Sequence, residues 1–196
     1  MSAFSKSIGA ILAALMLAAC TSVPLTSMPR LAKIDPQIMN LKDVELAVRI
    51  QNDFGVKPDT ARLQVGIEHQ ESGETRSELF VFSEDTRDLT KALIKKQKSG
   101  YQILRYRLDS ETGEDANAFR DVIVQARKEE PGMHKGTLSA SVGLCLKEGG
   151  NPFKDPRLTL FIRMNEAEDF FTLFKETKTP LSREEQNKVE TCEEGT

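Results

Sequence analysis

Histidine, cysteine and clustered basic side chains are the residues of this chain whose types could do chemistry. His69 and His134 are the two histidines, and each has carboxylates near it in sequence: Glu68 and Glu71 for the first, Glu129 and Glu130 for the second. A histidine beside a carboxylate suits a general base or a metal ligand, because imidazole changes charge near neutral pH. Both histidines stand beside turn signals in unrelated segments, so the sequence reads them as surface residues rather than as a site. No Cys-x-x-Cys, Cys/His cluster, HExxH, GxSxG elbow, Walker loop or GxGxxG occurs. No catalytic residue, metal ligand or cofactor is therefore assigned.

The densest positive charge is Lys91, Lys95, Lys96 and Lys98, followed by Arg105 and Arg107. Alternation in their segment points the two arginines outward, making the six a candidate patch for an anionic partner such as lipid phosphates or an acidic protein face. The plainer reading is a solvated surface. Phe170, Phe171 and Phe174 recur at helical spacing, which reads as core packing. The formal charge of -3 over 196 residues carries no broad basic excess, so nucleic acid is not an expected partner. Tryptophan is absent and only Tyr101 and Tyr106 represent tyrosine, which disfavours a carbohydrate-stacking platform. With 39% hydrophobic residues, the chain has apolar material for one globular domain.

The amino terminus is the most informative segment. Lys6 lies in a short head, followed by an apolar run from Ile8 to Ala19. A bilayer-spanning helix needs roughly 20 apolar residues, so this run is too short to span and matches a secretory h-region instead. It ends in Leu17-Ala18-Ala19-Cys20. This resembles the lipobox of bacterial lipoproteins, a branched apolar residue and two small residues before the cysteine that becomes lipidated. The resemblance covers about a tenth of the chain and implies a diacylglycerol thioether at Cys20, cleavage between Ala19 and Cys20, and acylation of the new amino terminus. Several acyl chains anchor far more firmly than one, since each buried methylene contributes about 0.8 kcal/mol. Thr21, where the sorting rule of such lipoproteins places aspartate for inner-membrane retention, implies the periplasmic face of the outer membrane.

With Cys20 lipidated in an oxidising compartment, Cys145 and Cys192 remain to pair. The expected disulfide fixes the polar tail to the body and contributes on the order of 4 kcal/mol in the chain-entropy model. The alternative is a buried free Cys145 and a mobile Cys192.

The elements that must position these residues follow from periodicity. Residues 1–19 form the removed signal peptide, and 20–41 the lipidated terminus and a proline-containing tether with Pro24, Pro29 and Pro36. Residues 42–176 form one globular domain, and 177–196 a polar tail. Alternation predicts strands over 43–50 and 62–68 joined as a hairpin, a doubly buried strand over 78–83 completing a meander, and a strand over 101–109. Two more strands, 137–146 and 158–164, are expected as a second hairpin, with Cys145 pointing away from the apolar face. A short helix is expected within 85–98. A long one over 112–130 carries Ala116, Phe119, Ile123 and Ala126 on one face. A third begins at Asn165, with Glu168 completing a capping box. About six strands and two main helices, clustered rather than alternating, predict an α+β class, an antiparallel sheet assembly with helices to one side. A β-sandwich with peripheral helices is the competing architecture.

The expected function is a tethered, non-catalytic envelope protein that binds or positions another component. Its partners are the membrane, through Cys20, and an envelope protein. The alternatives are an anchored enzyme using His69 or His134 with a carboxylate, and a carrier of a small molecule or lipid.

Overall fold

The computed structural model describes residues 39–152, 154–175 and 190–192. The signal peptide, Cys20, the tether up to residue 38 and most of the 177–196 tail lie outside the described residues. In chain order, a 3-10 turn (Leu41–Asp43) precedes β1 (Glu45–Gln51), β2 (Phe54–Val56), β3 (Arg62–His69), β4 (Thr75–Val81) and β5 (Ser83–Glu84). There follow α1 (Lys91–Ile94), β6 (Tyr101–Arg107), α2 (Ser110–Glu129), β7 (His134–Ser141), β8 (Leu144–Leu146), β9 (Leu158–Arg163) and β10 (Phe171–Phe174). The described residues are thus strand-rich, and every named strand pair is antiparallel.

Strand β1 sits at the centre of a five-stranded sheet ordered β10-β9-β1-β6-β5. Leu46, Val48 and Ile50 alternate onto its inner face, where they meet Ile162 and Leu160 of β9 and Tyr106 of β6. A three-stranded sheet, β4-β3-β7, contributes Leu63, Val65, Ile67 and Phe80 to the same core. Helix α2 adds Ala116, Phe119 and Ile123, the face that its 3.6-residue spacing predicts. Each fully buried aliphatic side chain contributes about 1.5–3 kcal/mol, so this shared core dominates stability.

Two glycines permit close approaches that hold the layers together. A side chain at Gly113 would meet Lys42 Cβ at 3.1 Å, so the 3-10 turn approaches the helix this closely because position 113 carries none. Leu41 N–H then donates to Asn117 Oδ1 at 2.8 Å, and Arg120 donates to the Met39 carbonyl. At Gly55, on β2, an added Cβ would lie 2.9 Å from Cys192 Sγ. The Cys145–Cys192 disulfide occupies that space, closing a sequence separation of 47 and tying residues 190–192 to β8. Leu146 N–H to Glu190 O and Cys192 N–H to Leu146 O reinforce the attachment.

Several expectations are corrected. Strand β1 pairs with β6 and β9, not with β3, so no first hairpin forms. The predicted strand over 137–146 is two strands: β7 joins β3, whereas β8 joins β2, the break falling at Val142 and Gly143. Neither pairs with β9, so the second hairpin is also absent. Strand β4 is buried on one face only, with Leu79 51% exposed. The helix expected from Asn165 is a turn leading into β10. Asn165 accepts from Ala167 N–H and its side-chain amide donates to Glu168, but Phe170 and Phe171 then enter different apolar clusters on opposite sides of the sheet. Burial on two faces suits an extended strand, and that requirement overrides the capping signal. The remaining expected helix, within 85–98, is the single turn α1, leaving α2 as the main helix.

Candidate functional site

The cross-strand register of β3 and β7 sets His69 directly opposite His134. Directly opposed residues share one face of a sheet, so the two imidazoles meet. Their ring centroids are 5.0 Å apart, with the planes near perpendicular. Helix α2 ends immediately before Glu130, whose N–H still donates to Ala126 O. Gly132, at φ 83°, makes the sharp turn from helix to strand, which returns the chain so that Glu130 faces His134. Glu130 Oε2 lies 3.4 Å from His69 Nε2 and 3.7 Å from His134 Nε2. On the far side of His69, Ser72 N–H donates to Nδ1 at 3.2 Å, which puts the neutral ring's proton on Nε2, toward Glu130.

This cluster lies at one end of a groove between α2 and the edge strand β4. A cleft of about 470 Å³ is lined by Ile67, Ala126 and the three cluster residues among others. An adjoining cleft of about 620 Å³ lies over Phe80 and Phe119. Arg76 and Val122 line both, so the two clefts lie side by side along α2. Val122 of α2, 40% exposed, borders the groove, whereas Leu79, 51% exposed, projects from the other face of β4, opposite Gln64. The Arg76 guanidinium covers the Phe119 ring at 5.6 Å, and Glu78 and Asp115 complete a charged rim.

The opposite side of the molecule carries a closed charge network. Glu45 on β1 is directly across from Arg163 on β9, and the small Ala47 beside it leaves room for Arg105 on β6. Arg105 Nη2 contacts Glu45 at 3.0 Å and Asp85 at 2.9 Å, and Arg163 Nη2 contacts Glu45 at 2.6 Å. Arg87 clasps Asp85 through Nε and Nη2, holding that carboxyl well below its usual range, at about 2, with the Arg105 charge adding to the effect. Asp85 in turn raises Arg87 above the ordinary guanidinium value.

The expected basic patch is therefore divided. Arg105 is buried in this network, a correction to its outward placement: it leaves the main core as alternation predicts, but Asp85 and the loop around it cover that face. Lys96 lies 5.1 Å from the Phe161 ring centroid and Lys98 lies 4.3 Å from that of Tyr101, while Lys91, Lys95 and Arg107 are exposed. Phe170 and Phe171 are buried and Phe174 is partly so, in keeping with core packing.

The grouping that sequence reasoning missed is His69 with His134 and Glu130. Its local signal was the four-residue spacing of Glu130 and His134. The link to His69 depended on a strand pairing that spacing does not reveal. Two imidazoles and a carboxylate can share a proton or coordinate a cation.

Together these features define a β-rich antiparallel domain with a helix-bordered groove ending in a His-Glu-His cluster. No protein-family model, no curated protein and no solved structure matches the chain.

Proposed function

We propose that this chain is a lipid-anchored envelope protein, held by Cys20 at the periplasmic face of the outer membrane, whose domain acts by binding and positioning another envelope protein. The observation that carries the binding reading is the groove beside α2, where exposed Val122 flanks a floor of Phe80 and Phe119. Exposed apolar side chains over an apolar floor and within a charged rim are the composition of a protein contact surface. In mechanism, the lipid confines the domain to the membrane surface, the proline-bearing tether sets its reach, and confinement raises the effective concentration of any partner in the same layer. The Cys145–Cys192 bridge accords with an oxidising compartment. In the same reading the domain is an α+β assembly, with α2 against the three-stranded sheet, rather than a β-sandwich with peripheral helices.

The test is intact mass of the membrane-fraction protein beside Cys20→Ala, together with a photo-crosslinking residue at position 122 in living Gram-negative cells. A mature mass beginning at Cys20 plus acyl chains, and a discrete crosslinked protein that diminishes in Cys20→Ala, support the proposal. An unlipidated mass in the wild type rejects the anchor. Absence of any crosslinked protein at position 122, with lipidation intact, rejects the groove as the contact surface.

A further inference from the structure

The His-Glu-His cluster has a chemistry that partner binding along the groove does not use. We infer that His69, His134 and Glu130 form a three-ligand site for a divalent cation of the zinc class, with the remaining coordination position open to the cleft. Zinc bound at about 2.0–2.2 Å in a tetrahedral arrangement places its donor atoms roughly 3.3–3.5 Å apart. Glu130 Oε2 already lies 3.4 Å from His69 Nε2 and 3.7 Å from His134 Nε2. All three donors fall within 4.8 Å of one another, so small rotations of the imidazoles close the set.

The donor types select the metal. Two imidazoles and one carboxylate suit zinc, nickel or copper(II). Calcium and magnesium prefer six or more oxygens, and Glu130 supplies the only carboxylate of this set. The carboxylate is also available: among the described residues, its ion-pair partners are these two histidines, with no lysine or arginine competing. Its side chain is 55% exposed, against 12% for His134 and 23% for His69. The carboxylate is thus the most exposed of the three donors.

The atoms around the rings set the consequences of loading. In the metal-free ring of His69 the proton resides on Nε2, because Nδ1 accepts from Ser72 N–H. Coordination through Nε2 moves that proton to Nδ1 and breaks the 3.2 Å contact with Ser72. His134 Nδ1 is buried and, among the described residues, has no hydrogen-bond partner. A ligating histidine ordinarily donates from its second nitrogen, and loss of such support lowers affinity by about 10–100-fold, so the site is weaker than a fully supported one.

The experiment uses the mature protein, purified without a polyhistidine tag and stripped by a chelator, then titrated with Co²⁺ and with Zn²⁺. One equivalent of Co²⁺ giving the visible absorption of a tetrahedral or five-coordinate centre, displaced by Zn²⁺, is expected. Glu130→Gln, at an exposed position, and His69→Gln each weaken binding at least tenfold while circular dichroism and Tm without metal stay unchanged. Zn²⁺ also shifts the Ser72 amide resonance of the wild type. No stoichiometric binding, or binding that the two variants leave unchanged, overturns the site. Should His69→Gln fail to fold, Glu130→Gln and the Ser72 resonance decide it. Because none of these readouts involves a protein partner, failure here is distinct from failure of the groove as a contact surface.

Discussion

Two clusters of ionisable side chains lie on opposite sides of this domain, and they are finished to different degrees. On the outer face of the five-stranded sheet, Glu45 and Asp85 are held by Arg87, Arg105 and Arg163, and Arg105 also donates to the Asp88 carbonyl. At the end of the groove, Glu130 pairs, among the described residues, with two imidazoles, and its side chain is 55% exposed. Burying a charge is costly unless it is paired, so the buried carboxylates of the first cluster must keep their guanidinium partners for the fold to tolerate them. The second keeps its carboxylate in contact with solvent, which lets it remain incomplete without comparable cost. Closed charge clusters belong to stability, and open ones are where a ligand can be accommodated.

The largest effect is expected from Arg105→Ala. It leaves Glu45 and Asp85 short of a buried partner and is expected to cost about 3–5 kcal/mol in urea unfolding. Glu130→Gln in the other cluster is expected to stay within about 0.5 kcal/mol, as exposed substitutions do. Equal losses from the two would remove the distinction.

Next in size is the disulfide. Cys145→Ser with Cys192→Ser is expected to lose about 2–4 kcal/mol, chiefly through the freed unfolded chain. Gly55→Ala, which puts a methyl group against the bridge, is expected to destabilise by about 1–3 kcal/mol as overpacking does. Thermal melts of Gly55→Ala in the bridged and serine-substituted proteins check this, with a smaller penalty expected in the latter.

Asp85 has its carboxyl depressed from 3.8 to about 2 in the folded protein, chiefly by Arg87. The unfolded chain therefore takes up the proton first, and the stability this group supplies is full above about pH 4 and fades as pH falls toward 2. Arg87→Ala is expected to move the acid-unfolding midpoint to higher pH, followed by circular dichroism. An unmoved midpoint would contradict the role given to Arg87.

The smallest effect on stability is expected at the groove. Val122→Lys and Leu79→Lys change exposed side chains and should alter unfolding by no more than about 0.5 kcal/mol. Val122→Lys should nevertheless reduce partner crosslinking from a neighbouring groove position, whereas Leu79→Lys, on the other face of β4, should not. A large loss of stability would mean that these side chains belong to the core.

Much of the local structure was legible in the sequence. Strands β1, β3, β6 and β9 appear as alternation because one face of each enters a common core. Helix α2 appears as a 3.6-residue stripe, and the cysteines left after Cys20 were few enough for their pairing to be expected. Short strands escaped: β2 and β8 have three residues each and β5 has two, too few to show a period. The segment after Asn165 displayed good capping chemistry, yet formed a strand because Phe170 and Phe171 are drawn to opposite sides of one sheet.

What this sequence determined by itself is therefore local: which segments alternate, where the helix runs and which residues are apolar. Those properties depend on neighbours a few positions away. Tertiary structure alone decided that β1 lies between β6 and β9, that Arg105 is buried against Glu45 and Asp85, and that His69 meets His134. The physical reason is register. Side chains far apart in sequence become neighbours only when strand pairing brings them together, and that pairing is chosen by burial of the whole apolar surface rather than by the residues at the site.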